Sequence, residues 1–345
     1  MVRMVGVVSV LLVMIARAEM REWTARSGAT VQAEWVGEGG GQVRLRTSEG
    51  KEVGIALHEL SESDQAYVKS LRPRPGIGNT TPSLVLAPSQ TNRMTLGGVE
   101  VKKGEMITFM APLPEGATKE LKKEKNTVVA EARIGVAVPN DFDPARPQRV
   151  LVVSATSDNN SMSIGHAGQH QREALARGWV VMAADPPTDE PPAKHSNTWR
   201  WSLIQAGLAE LHAAWPGSRN WAYATGGFSG GAKRSGYIAA LLAKENYRVI
   251  GMLMGGCNDD MASKGLAEYS PKRAAFLKIP ILLSVGDADR ISTVQHAQRV
   301  RDAMRATGFK EVRLEIYSGG HSLHPPHTDA ALAWFEEKSA PQSKP

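Results

Sequence analysis

The chain has 345 residues, of which 42% are hydrophobic and 22% charged, and its formal net charge is +6. This composition is typical of a globular protein and excludes a largely disordered or fibrous chain, while the length allows one large domain beside a small one. Basic residues alternate with acidic ones, as in residues 119–125. That pattern indicates a solvated surface and argues against a nucleic-acid partner.

The first eighteen residues have the pattern of a cleavable signal peptide. Arg3 supplies a positive charge, residues 4–15 form an apolar run too short to span a bilayer comfortably, and Ala16-Arg17-Ala18 is a small-residue cleavage site. We therefore predict a mature chain that begins at Glu19, is secreted or periplasmic, and is not stably inserted in a membrane. The alternative is an uncleaved anchor or a first core helix.

Residues 19–72 are predicted to form a small separate domain. Apolar residues alternate with polar ones in 31–35, 43–45 and 53–57, and glycine-containing turns separate the three stretches. The segment Ser61-Glu62-Ser63-Asp64 is typical of a helix start, and the helix is expected to end near Ser70. Several short strands and one short helix within about fifty residues suggest a small barrel.

Four segments of this region, residues 21–24, 33–37, 50–53 and 57–67, resemble in their order the Sla homology domain one family, which has an SH3-like fold. The resemblance implies that this domain binds a peptide or protein ligand. A stabilising or targeting appendage is the alternative. Trp23 and Trp35 are expected in its core rather than on a ligand platform. A linker rich in proline, residues 73–95, follows.

Residues 96–338 alternate predicted strands with predicted helices. The strands are expected at 106–110, 128–138, 149–154, 179–184, 221–225, 247–254, 278–284 and 312–317, and the helices at 166–177, 198–215, 232–243, 296–307 and 328–338. This alternation predicts an α/β fold with a mostly parallel sheet and helices on both faces.

A G-x-S-x-G motif, Gly227-Phe228-Ser229-Gly230-Gly231, lies between a predicted strand and a predicted helix. A serine exposed at the top of a sheet needs a sharp, strained strand-to-helix turn, and the glycines let strand and helix pack closely around it. The N-terminus of the following helix directs N–H groups towards an oxyanion that forms beside the serine. Ser229 is therefore a candidate nucleophile.

An acidic loop and a histidine loop follow two later strands. Gly286-Asp287-Ala288-Asp289 comes after the strand at 278–284, and Ser318-Gly319-Gly320-His321 comes after the last strand. Both loops are at the carboxyl ends of strands, where an acid can reach a histidine across the top of the sheet. The order serine, acid, histidine is the one expected of an α/β-hydrolase, and either aspartate could supply the acid.

Residues 125–338 resemble the α/β-hydrolase superfamily, and the Gly-Phe-Ser-Gly-Gly-Ala elbow looks most like that of secreted esterases near the polyhydroxybutyrate depolymerase and feruloyl esterase group. The resemblance implies Ser229 as nucleophile, His321 as base and, because the family's acid usually follows the glycine by three, Asp289 as acid. It also implies a small-molecule or polymer ester as substrate and no cofactor.

One loop departs from this family. Members often carry His-Gly after the strand that precedes the first helix, whereas this chain has Ser154-Ala155-Thr156 there. The backbone N–H of Thr156 can still form an oxyanion hole with that of Gly230. The departure supports an alternative function, a non-catalytic binding protein in which the Sla homology domain mediates protein binding and the hydrolase domain is a degenerate scaffold.

Two tryptophans precede the elbow. Trp199 and Trp201 follow a proline-rich loop and are predicted to bind substrate at the mouth of the site by stacking on a sugar or aromatic group. Burial in the core is the alternative.

No metal site is expected. His321, His324 and His327 are spaced by three, but Pro325 and Pro326 interrupt any helix that would align them, and no carboxylate is interleaved. The single cysteine, Cys257, excludes an intrachain disulfide and is expected to be a small buried hydrophobe.

Overall fold

A computed structural model of the chain describes residues 20–39, 42–61, 63–65, 68, 94–123, 128–156, 162–188 and 196–340. The chain divides into two compact units, Met1–Pro88 and Ser89–Pro345. The predicted signal peptide and residues 73–93 of the predicted linker lie outside the described residues. Within the described ranges, no helix is both long enough and apolar enough to cross a membrane.

The first unit contains a four-stranded antiparallel sheet in the order β1-β2-β3-β4. Its strands are β1 (Arg21–Thr24), β2 (Thr30–Gly39), β3 (Gln42–Thr47) and β4 (Glu52–Ala56). Alternate side chains of the strands face one small core, because successive residues of a strand point to opposite faces. That core contains Trp23, Ala33, Val43, Leu45, Leu60 and Val68.

The two edges of this sheet are joined beyond β1 and β4. Ala25 and Leu60 form an isolated antiparallel bridge, and Ser61 donates its N–H to the Thr24 carbonyl at 2.8 Å. The Asp64 carboxylate, which is buried, accepts from Arg21 and from the Thr24 N–H. A small β domain is confirmed. Strand β1, which the alternation of the sequence did not predict, supplies one of its edges.

The second unit contains ten strands and eight α-helices among the described residues. The strands are β5 (Thr95–Leu96), β6 (Val99–Glu100), β7 (Met106–Pro112), β8 (Glu131–Ala137), β9 (Arg149–Ser154), β10 (Trp179–Asp185), β11 (Ala222–Phe228), β12 (Arg248–Gly255), β13 (Ile281–Gly286) and β14 (Val312–Tyr317). The helices are α1 (Glu115–Lys123), α2 (Ser163–Ala176), α3 (Asn197–Ala214), α4 (Gly230–Lys244), α5 (Met261–Tyr269), α6 (Arg273–Phe276), α7 (Val294–Thr307) and α8 (Pro325–Ser339).

Eight of these strands form one sheet in the order β14-β13-β12-β11-β9-β10-β8-β7. Strand β8 runs antiparallel to both of its neighbours, β7 and β10, and the pairs from β10 to β14 are all parallel. Strands β5 and β6 form a separate short hairpin. The expected fold class, an α/β-hydrolase fold with a mostly parallel sheet, is confirmed.

Helices cover both faces of the sheet, as the residues of β9 show. Val150 and Val152 pack in one cluster with residues of α3 and α4, whereas Leu151 and Val153 pack in another with residues of α2 and α8. Because a strand buried on both faces must be apolar at every position, β9 reads as a continuous hydrophobic run. Because strands β9 to β14 all run parallel, their carboxyl ends and the loops that follow them lie at one edge of the sheet.

Candidate active site

Ser229 lies in a sharp turn between β11, which ends at Phe228, and α4, which begins at Gly230. Its backbone has φ 55° and ψ −120°, a conformation that a residue with a Cβ rarely adopts. The Ser229 N–H donates to the Gly255 carbonyl at the end of the neighbouring strand β12, at 2.8 Å. The turn therefore exposes part of a serine at the carboxyl edge of the sheet, as expected from the motif.

The glycines of the motif are required by close backbone contacts. A Cβ at Gly227 would lie 2.6 Å from the carbonyl carbon of Gly231, and a Cβ at Gly231 would lie 2.1 Å from the Ser154 carbonyl oxygen. Only residues without a side chain allow the strand, the helix and the end of β9 to approach this closely. The motif therefore also fixes where the chain after β9 lies relative to Ser229.

Asp289 and His321 are joined by a hydrogen bond. Nδ1 of His321 lies 2.7 Å from Oδ2 of Asp289, whose side chain is fully buried. Oδ1 of Asp289 accepts the backbone N–H groups of Ile291 and Ser292, both at 2.8 Å. Burial by itself would raise the pKa of this carboxyl, but the hydrogen bonds from His321, Ser292 and Ile291 outweigh it and lower the pKa below its ordinary value.

The ring of His321 lies next to the elbow. Its centroid is 4.7 Å from that of Phe228, the residue directly before Ser229. A Cβ at Gly256 would lie 2.8 Å from the Phe228 ring and 3.1 Å from Cε1 of His321, so a glycine there leaves room for both rings. Because Asp289 engages Nδ1, the other ring nitrogen, Nε2, is left to interact elsewhere.

Asp287, the other candidate acid, has a different contact. Its Oδ1 accepts the backbone N–H of Gly319 at 3.0 Å, and the N–H of Ala288 donates to the Gly319 carbonyl at 2.9 Å. These bonds tie the acidic loop to the loop that carries His321. Asp287 thus contacts the backbone of the histidine loop, whereas Asp289 contacts the imidazole.

The two residues predicted to supply oxyanion N–H groups lie in contact. A Cβ at Gly230 would lie 2.2 Å from Oγ1 of Thr156, so Thr156 packs directly against the first residue of α4. Gly230 is also at the N-terminus of this helix, where free N–H groups and the helix dipole favour negative charge. Residues 157–161, which follow Thr156, lie outside the described residues.

A buried ion pair beside this loop was not predicted from the sequence. Nη1 of Arg200 lies 2.9 Å from Oδ1 of Asp185, and neither side chain is more than 2% exposed. Asp185 also accepts the N–H groups of Ser163 and Ile164, at 2.7 and 2.8 Å, at the start of α2. Burial lowers the pKa of the Arg200 guanidinium, and Asp185 opposes that change. The sequence feature that could have indicated this pair is Asp185 itself, an aspartate at the end of a buried strand.

The prediction that Trp199 and Trp201 bind substrate at the site mouth is corrected by the structure. Both lie on α3, are 0% and 6% exposed, and belong to the core cluster between the helices and the sheet. Large apolar rings on a helix that packs against a sheet gain more by burial than by exposure at a loop. The alternative stated for them, core packing, is the one found.

The other two histidines of the series that begins at His321, His324 and His327, contact neighbouring side chains. His324 stacks on Tyr317 with ring centroids 4.6 Å apart, and Nδ1 of His327 lies 2.7 Å from the Ser284 hydroxyl. No group of three or more His, Cys, Asp or Glu residues in the described part of the chain is arranged to hold a metal ion. Cys257 is buried, and burial raises the pKa of its thiol to about 12.

The first unit matches a known family. Residues 15–74 match the family model of SLA1 homology domain 1. A search of curated proteins found none that matches the chain.

Solved structures similar to the chain include proteins from Bacteroides eggerthii, Xanthomonas campestris and Pyrobaculum calidifontis. A bifunctional GH43-CE protein of Bacteroides eggerthii matches with a TM-score of 0.42 and 15% identity over 60% of this chain, which spans only 36% of that protein. A lidless α/β serine hydrolase from Xanthomonas campestris matches with a TM-score of 0.48 and 15% identity, covering 71% of this chain and 100% of that one. An esterase from Pyrobaculum calidifontis matches with a TM-score of 0.46 and 13% identity, covering 69% and 86%.

The fold assignment rests on the strand order of the eight-stranded sheet and on the loops that follow β11, β13 and β14. The chain thus joins an N-terminal SLA1 homology domain 1 to a larger unit with the α/β-hydrolase fold.

Proposed function

We propose that the larger unit is a serine hydrolase that acts on ester bonds, with Ser229 as nucleophile, His321 as general base and Asp289 as the acid that orients it. The observation that carries the proposal is the 2.7 Å hydrogen bond between Asp289 and Nδ1 of His321, with the imidazole beside the strained elbow. A buried carboxylate that holds one ring nitrogen selects the tautomer whose other nitrogen can accept a proton.

In the proposed first step, Nε2 of His321 takes the proton of the Ser229 hydroxyl while the oxygen attacks the ester carbonyl carbon. The carbonyl oxygen becomes an oxyanion, and His321 then gives its proton to the departing alcohol, leaving an acyl group on Ser229. In the second step His321 takes a proton from water while the water oxygen attacks the acyl carbon. The bond from that carbon to the Ser229 oxygen then breaks, His321 returns the proton to the serine oxygen, and the carboxylic acid leaves. Asp289 stabilises the imidazolium that forms in both steps, because it stays ionised at neutral pH.

The backbone N–H groups of Gly230 and Thr156 are the proposed oxyanion donors. What supports this role is the contact between the two residues and the position of Gly230 at the start of α4. Donors that are already aimed at the developing charge need no reorganisation during the reaction, and loss of one typically costs about 10²–10³-fold in kcat.

Reaction of the purified protein with a fluorophosphonate probe tests the mechanism, because such probes phosphonylate only an activated serine. We expect labelling of the wild type at Ser229, none in Ser229→Ala, and turnover of p-nitrophenyl esters by the wild type alone. A panel of p-nitrophenyl and sugar esters then identifies the acyl and alcohol groups that are accepted. An unlabelled wild type would favour the alternative, a non-catalytic binding protein.

We also propose that the first unit binds a peptide or protein ligand, as the resemblance to its family implies. Deleting residues 19–72 should then leave the turnover of a soluble p-nitrophenyl ester unchanged within about twofold, because the second unit has its own core.

A separate proposal is that the chain is exported. N-terminal sequencing of exported protein should find Glu19 first, and a retained Met1 would contradict export by a cleaved signal peptide.

A further inference from the structure

The backbone of Ala155 is held by a side chain from a different element. Its N–H donates to the hydroxyl oxygen of Ser163 at 3.2 Å, and both residues are buried. Ala155 directly precedes Thr156, which carries one of the two proposed oxyanion donors. A buried N–H must find an acceptor, so the Ser163 hydroxyl determines which way the backbone of Ala155 faces.

Ser163 is itself held from two sides. It is the first residue of α2, and its N–H donates to Oδ1 of Asp185 at 2.7 Å. Nη1 of Arg200 lies 2.9 Å from that same oxygen and 3.2 Å from the Ser163 hydroxyl, to which it also donates. The charged pair therefore fixes both the backbone and the hydroxyl of Ser163, and all three residues are at most 2% exposed.

The other side of the Ala155 segment rests on the elbow. A Cβ at Gly231 would lie 2.1 Å from the Ser154 carbonyl oxygen, and one at Gly230 would lie 2.2 Å from the Thr156 hydroxyl. Residues 154–156 are thus confined between the turn that carries Ser229 and the hydroxyl of Ser163. A change on the Ser163 side would move the segment relative to Ser229.

We infer that Ser163, supported by the buried pair of Asp185 and Arg200, is a positioning residue that keeps the Thr156 N–H in place for the oxyanion. The inference rests on the proposed function of this site. It accounts for a defined backbone in a loop that lacks the His-Gly expected from the esterase resemblance, since a side-chain hydrogen bond holds the Ala155 N–H. Displacement of a catalytic group by about 1 Å can cost 10²-fold in rate.

The test compares Ser163→Ala with Ser202→Ala. Ser202 is also fully buried, lies on the same helix as Arg200, and donates its hydroxyl to the Thr198 carbonyl of its own helix, at 2.9 Å. We expect Ser163→Ala to lower kcat for a p-nitrophenyl ester by about 10- to 100-fold with KM within about twofold of the wild type, because an oxyanion donor acts in the transition state. Ser202→Ala should change neither constant by more than about twofold.

Two further measurements separate positioning from a merely structural effect. The fraction of sites labelled to completion by a fluorophosphonate gives the concentration of folded enzyme, to which kcat is referred. A trifluoromethyl ketone adds to the serine as a tetrahedral oxyanion, so Ser163→Ala should weaken its inhibition by about the factor lost in kcat/KM. The thermal midpoints of the two variants should differ by only a few degrees.

A kcat per labelled site in Ser163→Ala within twofold of Ser202→Ala overturns the inference, whatever the thermal midpoint. So does a loss of kcat without the matching loss of ketone inhibition, since the oxyanion would then be unaffected. A wild type that neither labels nor turns over any ester refutes the proposed function itself, and this inference with it. The two failures are distinguishable because the second occurs before any variant is made.

Discussion

Two buried carboxylates at the carboxyl edge of the sheet are built in nearly the same way. Asp289 follows β13 and accepts two backbone N–H groups of its own loop, and Asp185 ends β10 and accepts two at the start of α2. Each also pairs with one nitrogen-bearing side chain, His321 in the first case and Arg200 in the second. The surroundings of the two carboxylates thus differ mainly in that partner.

The partners give the two pairs different capabilities. The His321 side chain is 18% exposed, whereas the Arg200 side chain is 2% exposed. An imidazole exchanges a proton near neutral pH, but a guanidinium stays charged even when burial lowers its pKa. The first pair can therefore take part in proton transfer, and the second can only hold neighbouring groups in place. Two buried carboxylates with the same number of backbone donors can thus serve chemistry or support, according to the side chain with which each is paired.

The largest expected effect on kcat follows from removing the imidazole of His321. His321→Ala should lower kcat by roughly 10⁶-fold, as Ser229→Ala should, because a serine without its base is a poor nucleophile. In the proposed mechanism the two groups act as one unit, so the double variant should be hardly worse than either single variant. Steady-state kinetics on an ester substrate measures all three. A double variant that multiplies the two losses would contradict a shared mechanism.

Asp289→Asn should lower kcat by about 10⁴-fold, because an amide would favour the wrong tautomer of His321. Asp287→Asn is the matched control, since Asp287 lies two residues away on the same loop and its carboxylate accepts the backbone N–H of Gly319 instead of contacting the imidazole. It should cost less than about tenfold, through a looser histidine loop. If Asp287→Asn is the crippling change, the assignment of the acid is wrong.

For stability we expect the opposite order: removing the charge of Asp185 should cost more free energy of unfolding than removing that of Asp289. Asp185→Asn leaves the Arg200 guanidinium buried without its counter-ion, and loss of one partner of a buried pair costs about 3–5 kcal/mol in free energy of unfolding. Asp289→Asn should cost about 1–3 kcal/mol, because His321 can remain neutral. Urea unfolding of both variants measures this. Equal costs would mean that the partner does not distinguish the two pairs.

The smallest expected effect is a pH dependence of the contribution that ionised Asp289 makes to the free energy of unfolding. Its pKa is lower in the folded chain than the ordinary value of 3.8. The contribution to stability is therefore fully present above the pKa of the unfolded chain and is lost as the pH falls through the lower, folded value. The difference in unfolding free energy between wild type and Asp289→Asn should therefore shrink as the pH falls below about 4. A difference that grows as the pH falls through this range would contradict the sign.

Much of the fold followed from local patterns. The last strand, residues 312–317, has the predicted bounds, because apolar and charged residues alternate in it and a glycine-rich turn follows it. Helices α1, α5 and α6 were missed, since with nine, nine and four residues they are short and offer few positions at which a helical period can be recognised. Strand β8 was expected, but its antiparallel direction depends on pairing with β7 and β10, which no local pattern specifies.

By itself the sequence indicated the elbow, since Ser229 is flanked by glycines and lies between a predicted strand and a predicted helix, and it determined that an acid and a histidine follow later strands. The tertiary structure decided which of two aspartates meets His321, because two side chains on one loop point in different directions. It also decided that Trp199 and Trp201 lie in the core and that Arg200 is paired with Asp185. Such contacts depend on which elements pack together, and a charged residue in a sequence does not reveal its distant partner.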